Sequence, residues 1–314
     1  MITIKLPKYF IDQELNFLLD QLENLVKEVK NNPQEITFDL IETKYVSVLG
    51  ILLIVQSCDD FWKIGCKCFI RHITESTPSW FVRIMWPKNE TTNEIHEYLD
   101  TIRVRVQRCF DSDQSQIAVD KFIPIIKAEF KPSDHVLKAL NWALWEFVGN
   151  AGMHGYGFYG EVKAVYPKPV YFCAFDYKNI IEIATLDVGR GIHKSFVMSG
   201  KEKYKNITNE EALKLSIQDE ESGHPAGSPG FGLYGCAEIA RQSNGKLIII
   251  SGNNKLIVTK DKTEIFPSSN FNGTMVSLTI AREGVINLEN IFGKENVMVV
   301  ESIDDLLERL NGKN

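Results

Sequence analysis

Apolar and polar positions in the first fifth of the chain follow patterns that predict helices and strands in alternation. Residues 12–31 carry apolar side chains at intervals of three and four, which predicts an amphipathic helix. Residues 48–64 are apolar almost throughout, which predicts a largely buried helix. Short runs at 1–6, 35–40 and 67–72 predict strands, so the order indicates a sheet covered by helices. The stripe assigned to the first helix is Leu15, Leu18, Leu19, Leu22 and Val26.

The pattern weakens after residue 85, and the expected domain boundary lies loosely between 85 and 118. Residues 92–101 predict a helix, 102–110 a strand and 111–116 a polar loop. A helix over 119–130 contains Pro124, whose ring is expected to bend or break it.

The strongest helical pattern covers residues 132–154, with Ser133 as the expected N-cap. Glu146, Asn150 and His154 are spaced at intervals of four, so they share one face of this helix. A carboxylate can hold an attacking hydroxyl or water, and a carboxamide oxygen is a hard ligand suited to Mg²⁺. A solvated helix face would carry the same residues, so the motif gains meaning only from the motifs further along the chain.

The second half of the chain predicts a hairpin, a polar stretch and further strands. Residues 171–175 and 180–186 form the hairpin, and 193–229 is polar with a helix at 210–220. The later elements are a strand pair at 246–251 and 256–260, a last strand at 275–280, and a tail of residues 283–314 with a strand at 297–300 and a helix at 302–310.

Two glycine-rich stretches lie in this half. The hairpin ends in DVGRGI, where Asp187 could accept a hydrogen bond from an exocyclic amine and the glycines allow close approach to a flat ligand. Residues 230–235, GFGLYG, open a helix, and backbone amides at such a place can hold phosphate. A Rossmann fingerprint competes for GxGxxG, but it should come directly after a first strand, whereas this motif comes after a long polar stretch.

Composition and charge narrow the class of protein. With 314 residues, two domains are expected. A net charge of -6 and the lack of a basic block disfavour nucleic acid as the main partner. The longest apolar run, residues 45–55, is too short to cross a bilayer, and no signal peptide is evident, so a cytoplasmic protein is expected. The six cysteines show no metal spacing and are expected to be reduced thiols.

Four motifs together resemble the GHKL ATPase superfamily of gyrase, heat-shock chaperone, mismatch-repair and histidine kinase domains. ExxxN, DxGxGI, GxGLxG and a late Gly-Thr occur in the order of the N, G1, G2 and final boxes, over residues 118–282. The run from Asn150 to Tyr156, NAxxHGY, is most similar to the anti-sigma-factor serine kinases. Histidine kinases usually carry the basic residue one position earlier, and no phosphoacceptor histidine helix precedes this domain. The resemblance implies the Bergerat fold, a two-layer α/β sandwich with helices over one face of a mixed sheet.

The same resemblance implies roles for individual residues, with ATP and Mg²⁺ as cofactors. Glu146 would be the general base, Asn150 the Mg²⁺ ligand and Asp187 the partner of the adenine amine. Thr274 would support Asp187 through a water. The other implied nucleotide-binding positions are His154, Gly189, Gly191, Ile192, Gly230, Gly232, Leu233 and Gly235. One departure is that residues 222–229 lack the arginine that the serine kinases often place there, which puts turnover in doubt more than binding.

The N-terminal segment is similar to the STAS fold of anti-anti-sigma factors. Residues 36–55 carry this resemblance, and the unit is expected to span residues 1–100. The family's acceptor turn, Asp-Ser-Ser/Thr-Gly, is here Ser47-Val48-Leu49-Gly50, with Gly50 kept and the acceptor positions apolar. Ser47 is expected to be a helix N-cap rather than a phosphorylation site.

Three functional hypotheses remain, all for an α/β (α+β) protein. One is an ATP-dependent serine/threonine kinase or slow ATPase in signalling. Another is an ATP-gated protein-binding switch with little turnover, in which the fused STAS-like unit is a built-in partner. The third is a degenerate domain that holds no nucleotide. A regulatory protein partner is expected, GHKL domains often form homodimers, and neither nucleic acid nor a membrane is an expected partner.

Overall fold

The computed structural model describes residues 1–71, 107–109, 112–155, 169–177, 179–221 and 231–292, with side chains described except at 107–109, 112–116, 153–155 and 231. The strands are β1 (Ile2–Lys5), β2 (Tyr9–Phe10), β3 (Glu35–Asp39), β4 (Tyr45–Val46), β5 (Lys67–Arg71), β6 (Gln107–Cys109), β7 (Val170–Asp176), β8 (Ile180–Asp187), β9 (Lys246–Val258) and β10 (Thr263–Ala281). The helices are α1 (Leu15–Val29), α2 (Val48–Lys63), α3 (Ser112–Phe130), α4 (Asp134–Gly155), α5 (Gly191–Met198), α6 (Asn209–Ser216), α7 (Phe231–Gln242) and α8 (Leu288–Phe292), with a 3-10 helix at Glu202–Tyr204.

A five-stranded sheet, in the order β6-β7-β8-β10-β9, forms the centre of the molecule. The hairpin expected from the sequence is β7 and β8. Within this sheet, each described strand pair is antiparallel, whereas a mixed sheet was expected. Helices α3, α4, α5 and α7 pack on one face, where Phe172, Ile183 and Leu278 meet Leu140 and Leu144 of α4.

The N-terminal segment folds as a three-stranded parallel sheet in the order β1-β3-β5, with β2 and β4 paired beside it. The alternation of strands and helices expected there is confirmed. Helix α2 is buried on nearly all sides because it lies between this small sheet and the second face of the five-stranded sheet. Its apolar side chains share a cluster with Tyr171, Cys173 and Leu186. Helices therefore cover both faces of the large sheet, and not one face as the resemblance implies.

Polar bonds join the N-terminal segment to the large sheet. The Tyr171 hydroxyl donates to Asp59 of α2, and the Tyr45 and Tyr177 hydroxyls lie 2.9 Å apart. Lys246 Nζ lies 3.3 Å from Oδ2 of Asp12. The contact between the two parts therefore combines a continuous apolar core with specific side-chain pairs.

Helix predictions needed three corrections. Helix α3 begins at Ser112, where a polar loop was expected, and it runs through Pro124 without a break. The buried face of α3, with Phe122 and Ile126, packs in the core, and tertiary packing outweighs the proline penalty. Val26 of α1 is 37% exposed, whereas Leu25 is buried instead. Helix α5 was not expected, because it is short and mixes polar and apolar residues within the polar stretch.

The strand pair expected at 246–251 and 256–260 is wrong, because 246–251 and 256–258 belong to one strand, β9, which ends at Val258. In the structure Gly252 has a φ of +61°, and β9 continues past it opposite two register shifts in β10. The last strand is also longer than expected, because the segment at 275–280 is only the end of β10.

Several predicted elements lie outside the described residues, namely the helix at 92–101, the strand at 297–300 and the helix at 302–310. Across the described ranges, no helix has the length and apolar character needed to cross a membrane. The five cysteines whose side chains are described are buried and free, as expected, and the side chain of the sixth, Cys109 on β6, lies outside the description.

Candidate functional site

Helix α4 presents Glu146 and Asn150 to the glycines of α7. Ser133 caps the start of α4, as predicted, by accepting a bond of 3.4 Å from the Val136 amide. A Cβ atom placed on Gly232 would lie 2.5 Å from Oε2 of Glu146 and 2.9 Å from Nδ2 of Asn150. The structure therefore brings the first and third sequence motifs into direct contact, and only glycine fits at 232 without displacing the pair.

Gly235 makes a different contact on the same side of α7. A Cβ atom there would overlap the rings of Trp142 and Phe292, whose centroids are 4.4 Å apart. Because Trp142 lies one turn before Glu146 on α4, both glycines of α7 pack along one stripe of that helix. The structure thus places Gly235 in a helix–helix contact, and Leu233 beside it packs against the apolar core.

Burial changes the chemistry of Glu146. Loss of solvent raises the pKa of its carboxyl from its ordinary value to about 7. Burial raises the pKa of the neighbouring Cys236 thiol well above its ordinary value, and the charge of the Glu146 carboxylate raises it further. A carboxyl that titrates near neutral pH can accept a proton from a hydroxyl or a water, which is the property needed in a general base.

Asp187 and Thr274 lie side by side at the end of the sheet. Asp187 on β8 is paired with Thr274 on β10, which is paired in turn with Ser251 on β9. Directly opposed residues on neighbouring strands point to the same face, and here that is the face covered by α4. The carboxylate of Asp187 is 5% exposed and accepts a 2.8 Å bond from the Gly189 amide.

The backbone around this pair depends on two glycines. Gly191 has a φ of +76° and Gly273 a φ of +140°, both of which strain other residues. A side chain on Gly273 would also overlap the carbonyl oxygen of Asp187. These glycines allow the loop after β8 and the bulged part of β10 to meet at close range.

Ser251 joins the two sides of this junction, although it belongs to none of the sequence motifs. Its hydroxyl donates to the Gly273 carbonyl at 2.8 Å and accepts from the Ile192 amide at 3.0 Å. Ile192 itself is 9% exposed and packs in the core. A serine in a strand carries no distinctive signal, so only the pairing of Ser251 with Thr274 could have indicated its role.

A buried hydroxyl on the same face has no partner among the described residues. Thr185 is two residues before Asp187 on β8 and 2% exposed, and its Oγ1 makes no hydrogen bond to any residue that the structure describes. Since buried hydroxyls normally find a partner, this atom is suited to a polar group from outside the described part of the chain.

Both halves of the expected site lie on one side of the sheet. Glu146 and Asn150 are on α4, and α4 packs against β8, which ends in Asp187, and against α5. Gly230 and the side chain of His154 lie outside the described ranges. Within the same ranges there is no group of three or more His, Cys, Asp or Glu side chains suited to a metal ion. Asn150, the expected Mg²⁺ ligand, is partly buried beside Glu146, and an amide oxygen there fits an ion that is held mainly by phosphate.

Comparison with models of known protein families found none that matches the chain, and comparison with curated proteins found no matching protein.

Proposed function

We propose that this protein binds ATP with Mg²⁺ as a cytoplasmic signalling protein of the GHKL superfamily, and acts as a serine/threonine kinase or slow ATPase. The observation that carries the proposal is the arrangement of four residues from distant motifs on one side of the sheet. Glu146 and Asn150 lie against Gly232, and Asp187 lies beside Thr274. Sequence order alone does not require these contacts.

The Asp187–Thr274 pair would bind the adenine ring at one end of the site. A buried carboxylate can accept from the adenine amine, and a neighbouring hydroxyl can hold a bridging water. The glycine junction of Gly191 and Gly273 keeps backbone close to the pair without side chains in the way.

The phosphate end would lie at Asn150 and Glu146. Asn150 would hold Mg²⁺, and the ion would supply positive charge to the phosphate oxygens. Glu146 would take the proton from a serine or threonine hydroxyl, or from a water. The oxygen of that hydroxyl or water would attack the γ-phosphorus as ADP leaves. The raised pKa of Glu146 supports this role, because the carboxyl can both accept and release a proton near neutral pH.

A second candidate is an ATP-gated switch that binds a regulatory protein partner with little turnover. It is favoured by the packing of the N-terminal segment, because Ser47 is 3% exposed and its hydroxyl accepts from the Gly50 amide at 3.2 Å. A buried N-cap serine is not presented to a kinase, so the STAS-like unit would serve as a fixed component and not as a substrate.

The experiment uses the pure full-length chain with Mg²⁺ and γ-labelled ATP, alone and with cell extract. The readouts are bound nucleotide, released phosphate and labelled protein, for the wild type and for Asp187→Asn and Glu146→Gln. Two results together would support the kinase or ATPase. Asp187→Asn should reduce ATP binding, and Glu146→Gln should abolish the released phosphate or the label on protein. Binding without phosphate or label would favour the switch, and no binding by the wild type would reject both.

A further inference from the structure

We propose that Asn16 on α1 is a positioning residue for the adenine end of the nucleotide site. Its effect would pass through the irregular part of β10, residues 267–274, which links α1 to Thr274. The proposal rests on the proposed function only for the identity of the ligand, since the contacts themselves are present in the protein without nucleotide.

Asn16 holds one end of this segment with three bonds. Its Oδ1 accepts from the Ser268 hydroxyl at 2.8 Å and from the Ser269 amide at 3.1 Å. The Ser269 hydroxyl donates to the Asn16 carbonyl at 3.3 Å. The Asn16 side chain thus gives the Ser269 amide an acceptor such as a neighbouring strand would provide, and it also binds the Ser268 hydroxyl.

The pairing of β10 explains why such a clamp is needed. Its register with β9 shifts between Pro267 and Phe271 and again between Phe271 and Thr274. Between these shifts Phe271 is 6% exposed and packs with the side chains of the N-terminal segment. The N-terminal segment therefore contacts this part of β10 at the place where its pairing with β9 is interrupted.

The other end of the segment enters the candidate site. Gly273 accepts from Ser251, lies against the Asp187 carbonyl and is followed by Thr274, the residue paired with Asp187. Because Gly273 has no free space toward β8, a displacement of the segment must move either Thr274 or the end of β8. Four residues separate Ser269 from Thr274, so little slack is available to absorb the change.

This arrangement gives the STAS-like unit a defined influence on ligand binding. When α1 is in place, Asn16 sets the bulge and keeps Thr274 beside Asp187. When the clamp is lost, the bulge gains freedom, and adenine contacts weaken while phosphate contacts on α4 do not. The N-terminal unit would thereby act on base recognition from the opposite face of the sheet.

The test compares Asn16→Leu, which removes the acceptor, with Asn16→Asp, which keeps it. Asn24→Leu is the matched control, because Asn24 is exposed on the same helix and its side chain donates to a carbonyl within that helix, that of Asp20, at 3.0 Å. Hydrogen exchange of the nucleotide-free protein is followed at the Gly189 and Ile192 amides, which donate to Asp187 and Ser251.

We expect Asn16→Leu, which removes both bonds to Oδ1, to speed exchange at these two amides at least about fivefold, the factor that the loss of one hydrogen bond alone predicts. Asn16→Asp and Asn24→Leu should stay close to the wild type. Unchanged exchange in Asn16→Leu, or an equal rise at all amides from general destabilisation, would overturn the proposal.

The second readout is the dissociation constant for ATP and for inorganic tripolyphosphate. Asn16→Leu should weaken the binding of ATP about fivefold and leave the binding of tripolyphosphate unchanged, because only the adenine-binding end of the site is displaced. An equal loss for both ligands would contradict the positioning role. If the wild type binds no ATP, the proposed function fails, and the exchange experiment still decides whether Asn16 controls the Asp187 loop.

Discussion

Gly232 on α7 is in direct contact with the carboxylate of Glu146 on α4, since a Cβ atom at 232 would lie 2.5 Å from Oε2. Gly232→Ala must therefore displace Glu146, Asn150 or the whole of α7. We expect the variant to lose at least about tenfold in ATP affinity, because the expected Mg²⁺ ligand moves with its neighbours. Titration with a fluorescent ATP analogue measures the loss.

Gly149→Ala provides the control on the same pair of helices. Gly149 lies on α4, and no atom of the described residues lies within 4 Å of a Cβ added there. Replacing a helical glycine there should stabilise the protein by about 0.5–1 kcal/mol and leave ATP affinity unchanged. If Gly232→Ala binds ATP as well as Gly149→Ala does, the contact with Glu146 is not part of a nucleotide site.

The raised pKa of Glu146 predicts a pH profile. Burial moves the pKa to about 7, and a general base works only when ionised, so turnover should fall about tenfold for each pH unit below 7 and level off above it. Glu146→Gln should lose about a hundredfold or more in ADP formation and retain ATP binding. Steady-state rates between pH 5.5 and 8.5 measure both effects. A wild-type profile that is flat across pH 7 would argue against a base role.

Gly191 and Gly200 form a matched pair with nearly equal backbone angles, φ +76° and +74°. An added Cβ at Gly191 would meet the Ser251 hydroxyl at 2.8 Å and the Gly273 carbonyl at 3.1 Å, whereas one at Gly200 would meet no atom within 4 Å in the described part of the chain. Gly200→Ala should cost only the conformational strain, about 1 kcal/mol. Gly191→Ala should cost that strain plus the displacement of Ser251.

Chemical denaturation of both variants, with and without ATP, separates the cost of backbone strain from the cost of displacing Ser251. We expect Gly191→Ala to be the less stable variant and to lose ATP binding, while Gly200→Ala binds normally. Equal stability would mean that the Ser251 junction yields easily and does not shape the site.

Local pattern predicted much of the fold, but the pairing between distant segments decided the rest. The apolar character of α2 indicated burial, and the structure shows why, because two sheets enclose it. Nothing in the local sequence could show that its second neighbour would be the sheet that carries Asp187. The two strands predicted at 246–251 and 256–260 are parts of one strand, because the irregular residues lie in its partner β10, and a local pattern does not show which partner a strand has.

In the candidate site, too, some residues could be recognised from local sequence and others depend on pairing between distant segments. Glu146, Asn150 and Asp187 have recognisable spacings, and the structure brings each to a defined neighbour. Ser251 has no motif, and its contribution depends on strand register, which a single sequence does not reveal.

Ser47 tests the interpretation of the degraded acceptor turn. Its hydroxyl accepts from the Gly50 amide at the start of α2, and the ring of Phe10 lies 2.7 Å from where a Gly50 Cβ would be. Ser47→Ala should lower the free energy of unfolding by about 1 kcal/mol through loss of the cap. Labelling with γ-labelled ATP should be the same in the variant and the wild type. Loss of label in Ser47→Ala would instead identify this serine as an acceptor.

Glu182 is buried between the large sheet and the N-terminal segment. It is 7% exposed, and it accepts a bond from the Ser277 hydroxyl at 2.5 Å. Burial raises the pKa of its carboxyl to about 7, with a smaller rise from Asp12 and opposing contributions from Ser277 and Lys246. An unfolded glutamate has a pKa of about 4.3, so the folded state holds its proton more tightly.

Stability should therefore fall as the pH rises from about 4.3 through about 7, where the folded carboxyl must ionise in a buried place. Glu182→Gln carries no charge and can still accept from Ser277, so at pH 8 it should be more stable than the wild type by about 1–3 kcal/mol. At pH 4 the difference should vanish. Glu23→Gln, which alters an exposed ion pair with Lys27, should change stability by less than about 1 kcal/mol at either pH. Urea denaturation at the two pH values measures these differences, and an equal gain for Glu182→Gln at pH 4 and pH 8 would show that the carboxylate is not strained by burial.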